Sequence, residues 1–313
     1  IMVRFNISPE TVNCRCCRDE PTAQVPEIGH HTCRHHKGLV PRTLAPLLDK
    51  RARYKRLMAA AAQPAARAVL DQRQTALKWL LVVSFGYLGY KNARFGRIEA
   101  HESVTAYSRD LLLQAKEVAE QQGYRLLHAI VDSLWLVKPG AAKADYNRLA
   151  QAITERTGLS IGVEGLYHWI GFLPSRVNPL MPVPNQFVGL FDHGVMKIRG
   201  IEIRRSDAPL LVKRAQTEVL RCLSQARTLA GLREQIPQAL EIVRTFRRYL
   251  HDGHATVEEL VITKSLSKEP QAYRHQTLSM IAAQELLARG MSLQAGDTIH
   301  YIITDADAAY PPD

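Results

Sequence analysis

A chain of 313 residues with 46% hydrophobic content has room for one large domain or two to three smaller ones, each with a real core. Its 41 lysines and arginines against 30 aspartates and glutamates give a formal net charge of +11 and a pI of about 9.5, which favours a polyanionic partner, nucleic acid before membrane. A membrane span is excluded, because the apolar stretch at 79–90 falls short of roughly 18 residues and contains two glycines.

The cysteines indicate the redox environment. Four of the five lie within residues 14–33, and only Cys222 lies elsewhere, which differs from an even disulfide framework. The N-terminus carries no signal-peptide pattern. The sequence therefore predicts that the protein resides in a reducing cytoplasm.

The first predicted elements are a short strand and an irregular loop. The opening IMVRFNISPETV favours a strand that runs into a turn containing proline, and its lack of a start-like leader suggests a longer sequence upstream. Residues 13–37 are polar and rich in cysteine and histidine, which predicts a loop or a small metal-held knuckle.

Two helices joined by a short turn follow as an antiparallel hairpin. The first begins near Pro41 and continues through RTLAPLLDKRARYKRLMAAAA, where Pro46 allows a kink. The second covers about 66–85 and ends at the GYLG segment.

The inner faces of this hairpin are predicted to be basic. Arg51 and Lys55 are four residues apart and share one face of the first helix, while Arg73 and Lys78 lie within two turns on the second. A solvated charged face is the alternative to a binding role.

The remaining pattern predicts an α+β fold with a separate, mainly helical C-terminal lobe. Up to residue 208 it gives helices at 101–122 and 142–156, a strand pair around Asp132, and strands at 169–173, 186–191 and 196–204. Beyond residue 208, helices at 217–226, 236–250, 256–262 and 273–289 precede a final strand at 298–304.

Asp132 stands out because it interrupts the apolar run LLHAIVDSLWLV, which is typical of a buried or half-buried strand. One interpretation is that Asp132 and Ser133 form a bulge or tight turn between two short strands. The other is a metal ligand, because a charge held among apolar residues needs a cation or partner to offset its desolvation.

A second metal site is predicted in the Cys/His-rich loop. CRCC at 14–17 and HHTCRHH at 30–36 offer four thiols and four imidazoles, although adjacent cysteines are unusual for a zinc finger. We expect a structural Zn²⁺ bound by Cys14, Cys17 and Cys33 with His30 or His36, which would stabilise a segment with little apolar core. An iron–sulfur cluster and a metal-free loop are the alternatives.

The order of six segments resembles the family B DNA polymerases over nearly the whole chain. IMVRFNISPET resembles the continuation of the family's first catalytic motif, whose aspartate would lie upstream of Ile1. The first helix of the family's fingers is resembled by KGLVPRTLAPLLDKRARYK. The second fingers helix and its return into the palm are resembled by LDQRQTALKWLLVVSFGYLGYKNARFGRIEAHESVTAYSR. HAIVDSLWL falls at the second catalytic aspartate motif, VMKIRGIEIRRSDAP at the passage from palm to thumb, and ITKSLSKEPQAYRHQ with ARGMSLQAGDTIHYIITD at the thumb.

The resemblance implies an antiparallel palm sheet with helical-hairpin fingers and a mainly helical thumb. It places the palm start and a Cys/His-rich insertion at 1–37, the fingers at 38–90, the palm at 91–208 and the thumb at 209–313. The implied reaction is template-directed nucleotidyl transfer from a dNTP to a primer 3′-hydroxyl by two Mg²⁺ ions.

The resemblance also assigns roles to particular residues. Asp132 would be the one Mg²⁺ ligand in this chain, and Arg51, Lys55 and Lys78 would hold the triphosphate. Phe85 and Gly86 would form the surface under the new base pair, and Arg73 would be a supporting cation. Contacts to the phosphates of the primer–template duplex would come from Arg199, Arg204, Arg205, Lys264, Lys268, Tyr273 and His275.

Three departures from the family pattern affect this interpretation. Ile130 replaces the first aspartate of the second catalytic motif, and Val82 and Val83 replace an asparagine and a serine near the triphosphate, which predicts weaker or less discriminating nucleotide binding. The partner aspartate of the first motif is not in this chain, so we expect no polymerisation without an N-terminal portion. With the cysteine-rich loop, these departures make the chain resemble a divergent prokaryotic branch of the family. The resemblance implies that the protein lies in the cytoplasm, associated with the nucleoid.

Three hypotheses remain at this point. The first is the C-terminal part of an active family B polymerase, and the second is a catalytically inactive polymerase-like subunit that binds DNA or partner proteins. The third is a metal-binding nucleic-acid adaptor centred on residues 14–36, which leaves the hairpin and Asp132 unexplained.

Overall fold

The computed structural model describes residues 1–305. The helices within them are α1 (Leu39–Ala60), α2 (Pro64–Gly89), α3 (Ile98–Gln121), α4 (Lys143–Thr157), α5 (Leu210–Leu223), α6 (Leu229–His251), α7 (Val257–Leu260) and α8 (Leu278–Ala288). The strands are β1 (Arg125–Ile130), β2 (Ser133–Val137), β3 (Tyr167–Pro174), β4 (Pro182–Phe191), β5 (Met196–Arg199), β6 (Ile262–Ser265) and β7 (Thr298–Tyr301). The predicted α+β class is confirmed.

All strand pairs among these residues are antiparallel. They form a β1–β2 hairpin, a three-stranded sheet in the order β3–β4–β5, and a β6–β7 pair. The chain divides into two compact units, residues 1–163 and residues 164–313. The finer division into 1–37, 38–90, 91–208 and 209–313 stays a prediction.

The predicted helical hairpin is confirmed as α1 and α2. Pro64 starts α2 at a position where its missing N–H costs no hydrogen bond, and Gln63 before it is extended (φ −86°, ψ 127°), which separates the two helices. α2 continues through Gly86 to Gly89, so the expected end near residue 85 was one turn too early.

Other predicted elements differ from the structure. The opening segment forms turns instead of a strand, and Val12 makes only an isolated bridge to Thr32. The expected helix at 256–262 stops at Leu260, and strand β6 begins at Ile262. The helix predicted at 273–289 begins only at Leu278, because the Thr277 side chain caps it by accepting a hydrogen bond from the Met280 N–H.

Two strand predictions were too long, and two helix predictions began too late, one of them the helix expected at 236–250, which already begins at Leu229. The strand expected at 196–204 ends at Arg199, because Gly200 adopts a φ of +67° and a side chain there would collide with the Asn185 carbonyl. The strand expected at 298–304 ends at Tyr301, and the helix expected at 217–226 already begins at Leu210 after Pro209.

In the first unit α3 is the common packing partner. It contacts α2, α4 and both strands of the β1–β2 hairpin. One buried cluster includes Ile7, Leu88 and Tyr107, with Phe5 stacked on Tyr107 at a centroid distance of 3.8 Å. Apolar residues of the opening segment therefore reach this core from turns.

The second unit has its own buried clusters. Trp169 and Leu190 of the three-stranded sheet pack against Ala226, and Trp169 Nε1 donates a 3.0 Å hydrogen bond to the Ala226 carbonyl. Separately, Leu266 and Ile299 pack with Ala283 of α8. Satisfying the indole N–H inside the cluster makes Trp169 a well-defined anchor.

Candidate functional site

Asp132 lies at the tip of the β1–β2 hairpin. Ile130 pairs with Ser133, so Val131 and Asp132 form a two-residue turn, and Val131 takes a positive φ of 53°. Asp132 is exposed, and Ser133 Oγ donates a 3.3 Å hydrogen bond to Asp132 Oδ1. The interpretation of a tight turn between two short strands is therefore confirmed, with Val131 and Asp132 in the turn and Ser133 already in β2. The apolar run is not one continuous buried strand, because this turn carries the acid to the surface.

The hairpin below Asp132 is held firmly. Leu134 and Leu136 of β2 point to one face and pack against the cluster that contains Tyr124 and Leu149. A positive φ is unusual for a β-branched residue such as Val131, which is 73% exposed. The packed strand β2 supports the hairpin from below, and the carboxylate of Asp132 is presented at its tip.

Within residues 1–305, no lysine, arginine or histidine forms an ion pair with Asp132. An exposed carboxylate without a cationic partner is a competent oxygen ligand for a hard divalent ion. The turn interpretation and the ligand interpretation are compatible, because a hairpin tip brings the side chain to where an ion and its other ligands have access. The metal role of Asp132 stays a prediction.

The helical hairpin carries all three of the predicted nucleotide-binding cations. Lys55 and Lys78 are exposed, and Arg51 is half-buried. Arg51 Nε is buried without a hydrogen-bond partner in the described part of the chain. A buried donor left unsatisfied costs about 1–3 kcal/mol, so an anion that accepts this N–H gains a ready partner.

Arg73 contacts the other helix of the hairpin. Its guanidinium lies 6.0 Å from the centroid of the Tyr54 ring, a cation–π contact between α2 and α1. This contact is consistent with the supporting role expected for Arg73.

One face of α2 combines Lys78, Val82 and Phe85, which recur at intervals of four and three residues. Val82 is 52% exposed, so the departure from the family pattern puts an apolar group at the surface beside Lys78. Val83 is exposed as well, so both departures from the family pattern lie at the surface. Ser84, which follows them, donates its hydroxyl to the Leu81 carbonyl of the same helix.

Phe85 rests on His101 of α3. The two rings are stacked with centroids 4.1 Å apart, and His101 Nδ1 lies 3.1 Å from the Phe85 carbonyl oxygen. Gly89 makes room for this ring, because an added Cβ would lie 2.8 Å from His101 Nδ1. A Cβ at Gly86 would meet no described atom within 4 Å. His101 was not singled out from the sequence, because its partner is 16 residues away.

Two predicted DNA contacts share an acidic partner in the second unit. Arg205 donates from Nε and Nη2 to the two carboxylate oxygens of Asp207, each at 2.9 Å, and Lys264 Nζ donates to Asp207 Oδ2 at 2.9 Å. Hydrogen bonds from Arg205 and then Lys264 hold the pKa of Asp207 well below its usual range. Both cations are thus partly neutralised by an acid that no local sequence pattern indicated.

The other predicted DNA contacts lie at the surface of the same unit. Arg199, Arg204, Lys268 and His275 are exposed. Tyr273 is half-buried, and its hydroxyl accepts a 2.8 Å hydrogen bond from the Ser267 N–H. Hydrogen bonding to Ser267 lowers the pKa of Tyr273. Tyr273 and His275 also line a surface cavity of about 320 Å³.

In the Cys/His-rich loop, the structure brings four thiols together. The Sγ atoms of Cys14, Cys16, Cys17 and Cys33 all lie within 4.8 Å of one another, and we call these residues the cysteine cluster. The predicted set of Cys14, Cys17 and Cys33 is thus joined by Cys16.

Neither predicted histidine belongs to the cysteine cluster. The His30 ring contacts Glu102 Oε2 at 3.4 Å and Asn13 Nδ2 at 3.1 Å, and the His36 side chain is not among the grouped donor atoms. The His30 ring therefore has other partners, whereas Cys16, whose adjacency to Cys17 is unusual for a zinc finger, lies inside the group.

Backbone N–H groups point at two of the sulfurs. The Arg34 N–H donates to Cys17 Sγ and the His36 N–H to Cys33 Sγ, both at 3.3 Å. Burial acts to raise the pKa of the Cys33 thiol, but the backbone N–H groups of His36 and His35 outweigh it and lower the pKa to about 7. Hydrogen bonds with Cys14 and Cys33 raise the pKa of Cys16 to about 12.

The opening segment binds the first turn of α1. Gly38 precedes the helix and has no side chain to cap it. Asn6 Oδ1 accepts a 2.9 Å hydrogen bond from the Gly38 N–H, Ser8 Oγ accepts one of 3.1 Å from the Val40 N–H, and Glu10 accepts from the Leu39 N–H. These residues satisfy helix donors that would otherwise be orphaned, and nothing local in the sequence indicated them.

Among residues 1–305, no helix combines the length and the apolar character needed to cross a bilayer. The family model for DNA polymerase family B matches residues 1–145 and 185–311.

Individual DNA polymerases are also similar in sequence to this chain. The DNA polymerase of Archaeoglobus fulgidus is 30% identical over 320 residues, which cover 100% of this chain and 38% of that protein. DNA polymerase 2 of Saccharolobus solfataricus is 34% identical over 235 residues, covering 75% of this chain and 33% of that protein.

A solved structure is also similar. The family B DNA polymerase from the hyperthermophilic archaeon Pyrobaculum calidifontis superimposes with a TM-score of 0.63 and 28% sequence identity, covering 98% of this chain and 38% of that one. The chain thus spans well under half the length of these relatives. Because the family model covers most of the sequence and both kinds of relative agree, the chain belongs to the family B DNA polymerases.

Proposed function

We propose that this chain forms the palm, fingers and thumb portion of a DNA polymerase that transfers nucleotides from dNTPs to a primer 3′-hydroxyl on a template. It does so together with an N-terminal portion that supplies a second catalytic carboxylate. The observation that carries the proposal is Asp132, an exposed carboxylate held at a hairpin tip within the segment that matches the family. The greater length of the relatives supports the need for a further portion.

The residues present fit part of a Mg²⁺ site. Asp132 offers one hard oxygen donor without a competing cation, whereas Mg²⁺ takes about six oxygen ligands, so other groups must complete the site. When bound, two Mg²⁺ ions would activate the primer hydroxyl and neutralise charge on the triphosphate. The task of Asp132 is to orient these ions from a rigid support.

The helical hairpin would bind the incoming nucleotide. Lys55 and Lys78 neutralise triphosphate charge, and Arg51 supplies a directed N–H that has no partner in the described part of the protein. Phe85, backed by His101, offers an aromatic surface for the new base pair beside Gly86. Val82 and Val83 provide no hydrogen bonds there, which predicts modest discrimination among nucleotides.

The second unit would hold the primer–template duplex through phosphate contacts. Such contacts give affinity and register without reading sequence. The exposed side chains of Arg199, Arg204, Lys268 and His275 suit this role, while Arg205 and Lys264 act at reduced strength because of Asp207. With DNA as the substrate, we place the protein at the nucleoid.

A structural Zn²⁺ is the second cofactor that we propose. The donor chemistry supports it, because four thiols converge in a segment with few buried apolar side chains. A zinc ion of this kind stabilises the local fold and takes no part in nucleotidyl transfer.

Primer extension by the full-length protein tests the polymerase proposal. Asp132→Ala is expected to reduce extension by about a thousandfold or more, because a metal ligand is worth several kcal/mol in the transition state. The matched control is Asp252→Ala, which removes an exposed carboxylate at the end of α6. Equal extension by wild type and Asp132→Ala would remove Asp132 from the mechanism.

An inactive polymerase-like subunit that binds DNA is the second candidate. It is favoured by Ile130 in place of an aspartate and by the exposed Val82 and Val83. Under this alternative the full-length wild type binds primer–template but does not extend it with either Mg²⁺ or Mn²⁺. The unsatisfied Arg51 Nε and the carboxylate of Asp132, which has no ion pair in the described part of the chain, then have no explanation.

A further inference from the structure

We propose that the cysteine cluster is a mononuclear, all-thiolate Zn²⁺ site in which Cys14, Cys16, Cys17 and Cys33 are the four ligands and no histidine takes part. We further infer that this ion fixes the loop to the segment that caps α1. The inference rests on the proposed structural zinc and specifies its coordination. It is independent of whether the protein synthesises DNA.

The sulfur spacing matches a single tetrahedral ion. Zn–S bonds of about 2.3 Å in a tetrahedron place the sulfurs about 3.8 Å apart. The Sγ atom of Cys16 lies 3.6 Å from Cys14, 3.6 Å from Cys33 and 3.7 Å from Cys17, and no pair in the group exceeds 4.8 Å. Binding requires side-chain adjustments of about 1 Å or less.

The same spacing argues against the other uses of clustered cysteines. A disulfide needs sulfurs at about 2.0 Å, and all four thiols are free. A four-iron cluster is bulkier than one ion, so its cysteine sulfurs stand farther apart than these. A tetrahedral site with four sulfur ligands is typical of one zinc or one iron ion.

Histidines of the loop are engaged in other contacts. His31 Nε2 lies 2.7 Å from the Cys14 carbonyl oxygen, and His35 Nε2 lies 3.0 Å from Glu20 Oε1. His30 contacts Asn13 and Glu102. The contact of His31 with the Cys14 carbonyl can help to position that part of the backbone, as outer groups do around metal ligands.

Two N–H···S hydrogen bonds support a charged sulfur cluster. The Arg34 and His36 N–H groups donate to Cys17 and Cys33 at 3.3 Å. Hydrogen bonds to an anionic acceptor are stronger than those to a neutral one, so this backbone geometry favours thiolates over thiols. Thiolates are the form that binds zinc.

A competing ligand set shares one cysteine. Cys17, Glu20 and His35 also bring donor atoms within 4.8 Å of one another. That set offers only three ligands, and its histidine and glutamate already contact each other at 3.0 Å. The four-thiol set is complete by itself, which favours it.

The ion would connect the loop to the start of α1. Asn6 Nδ2 donates to the Cys33 and His36 carbonyls, each at 2.7 Å, while Asn6 Oδ1 accepts from the Gly38 N–H at 2.9 Å. Fixing Cys33 therefore fixes the chain that leads into the helix. Among the described residues, Cys17, Ala23 and Cys33 form the buried group around the sulfurs, while Val25 of the loop belongs to the main core of the first unit. Little apolar surface therefore surrounds the sulfurs themselves, so a metal would add most to the order of this end of the loop.

The test measures metal in the full-length protein purified without oxygen in reducing buffer. We expect one zinc per chain by elemental analysis, and cobalt substitution is expected to give the intense visible bands and sulfur-to-cobalt charge transfer of a tetrahedral thiolate site. Cys16→Ser is expected to weaken zinc binding at least a hundredfold, on the order of the loss of a ligand bond. His35→Ala, His36→Ala and the control Cys222→Ser are expected to retain the metal.

Several results would overturn the inference. They are a folded, metal-free wild type, iron with cluster absorption, a disulfide by mass spectrometry of the alkylated protein, or loss of zinc in His35→Ala but not in Cys16→Ser. Because Cys16 is exposed, circular dichroism of Cys16→Ser will separate ligand loss from unfolding. Metal content is scored independently of primer extension, so failure of DNA synthesis leaves this result interpretable.

Discussion

Replacing Asp207 with asparagine is expected to change DNA affinity and stability in opposite directions. The Asp207 carboxylate is 17% exposed and binds Arg205 and Lys264, whose side chains are 55% and 46% exposed. In Asp207→Asn both cations become free to bind phosphate. At the same time, the chain around residue 207 loses its charged link to Lys264 of β6. We estimate that this link contributes about 1–2 kcal/mol to folding, since the partners are well solvated.

The salt dependence of DNA binding gives the size of the expected change in affinity. Each additional phosphate contact steepens the log–log slope of affinity against salt by about 0.9, so two freed cations steepen it by about 1.8. Between 50 and 200 mM salt, the variant would then lose about 12-fold more affinity than wild type, since four raised to the power 1.8 is about 12. At the lower salt concentration the variant is expected to bind more tightly.

Fluorescence anisotropy with a labelled primer–template duplex measures both quantities. The matched control is Asp252→Asn, which removes one negative charge from an exposed site on the end of α6 and tests the effect of net charge alone. If Asp207→Asn binds more weakly with an unchanged slope, Asp207 serves to position Arg205 and Lys264 for DNA, and the competition argument is wrong.

Three further predictions follow from the contacts described. Because Asp207 has a lowered pKa, its stabilising effect is present above about pH 4 and disappears as the pH falls further, so urea unfolding of wild type and Asp207→Asn should converge only in acid. His101→Ala removes the ring under Phe85 and is expected to raise the KM for dNTP several-fold in primer extension by the full-length protein, with kcat less affected; an equal KM would contradict the role. Asn6→Ala loses three hydrogen bonds and an asparagine suited to a φ of 54°, and is expected to destabilise folding by about 3–5 kcal/mol in urea titrations; a change below about 1 kcal/mol would refute the capping assignment.

The sequence predicted elements whose signals are local. The α1–α2 hairpin followed from helical periodicity and from the breaks at Pro64 and the glycines near residue 89. The opening strand was wrong because Ile1, Met2 and Phe5 are apolar for a different reason, packing onto the core from turns. Over so short a segment, apolar residues that alternate along a strand cannot be told from apolar residues that pack onto a core from turns.

Site features that depend on distant partners were not predictable. The neutralising contact of Asp207 with Lys264 joins residues 57 apart, and the caps of α1 come from residues about 30 positions upstream. The cysteine cluster was located by composition, but its fourth donor was assigned to an abundant imidazole because spacing rules for zinc fingers disfavour adjacent cysteines. Only the three-dimensional path of the loop brings Cys16 to Cys33.

The capping of α1 has a mechanical consequence. Its first N–H groups are bound to Asn6, Ser8 and Glu10, so the helix start is rigidly attached to the segment that precedes it. Two turns later, Pro46 lacks the N–H that would bond the Arg42 carbonyl, which makes that level the weakest in the helix. We therefore expect any bending of the α1–α2 hairpin to centre near Pro46. Pro46→Ala would restore the missing donor and is expected to stiffen α1 without altering Arg51, Lys55 or Lys78.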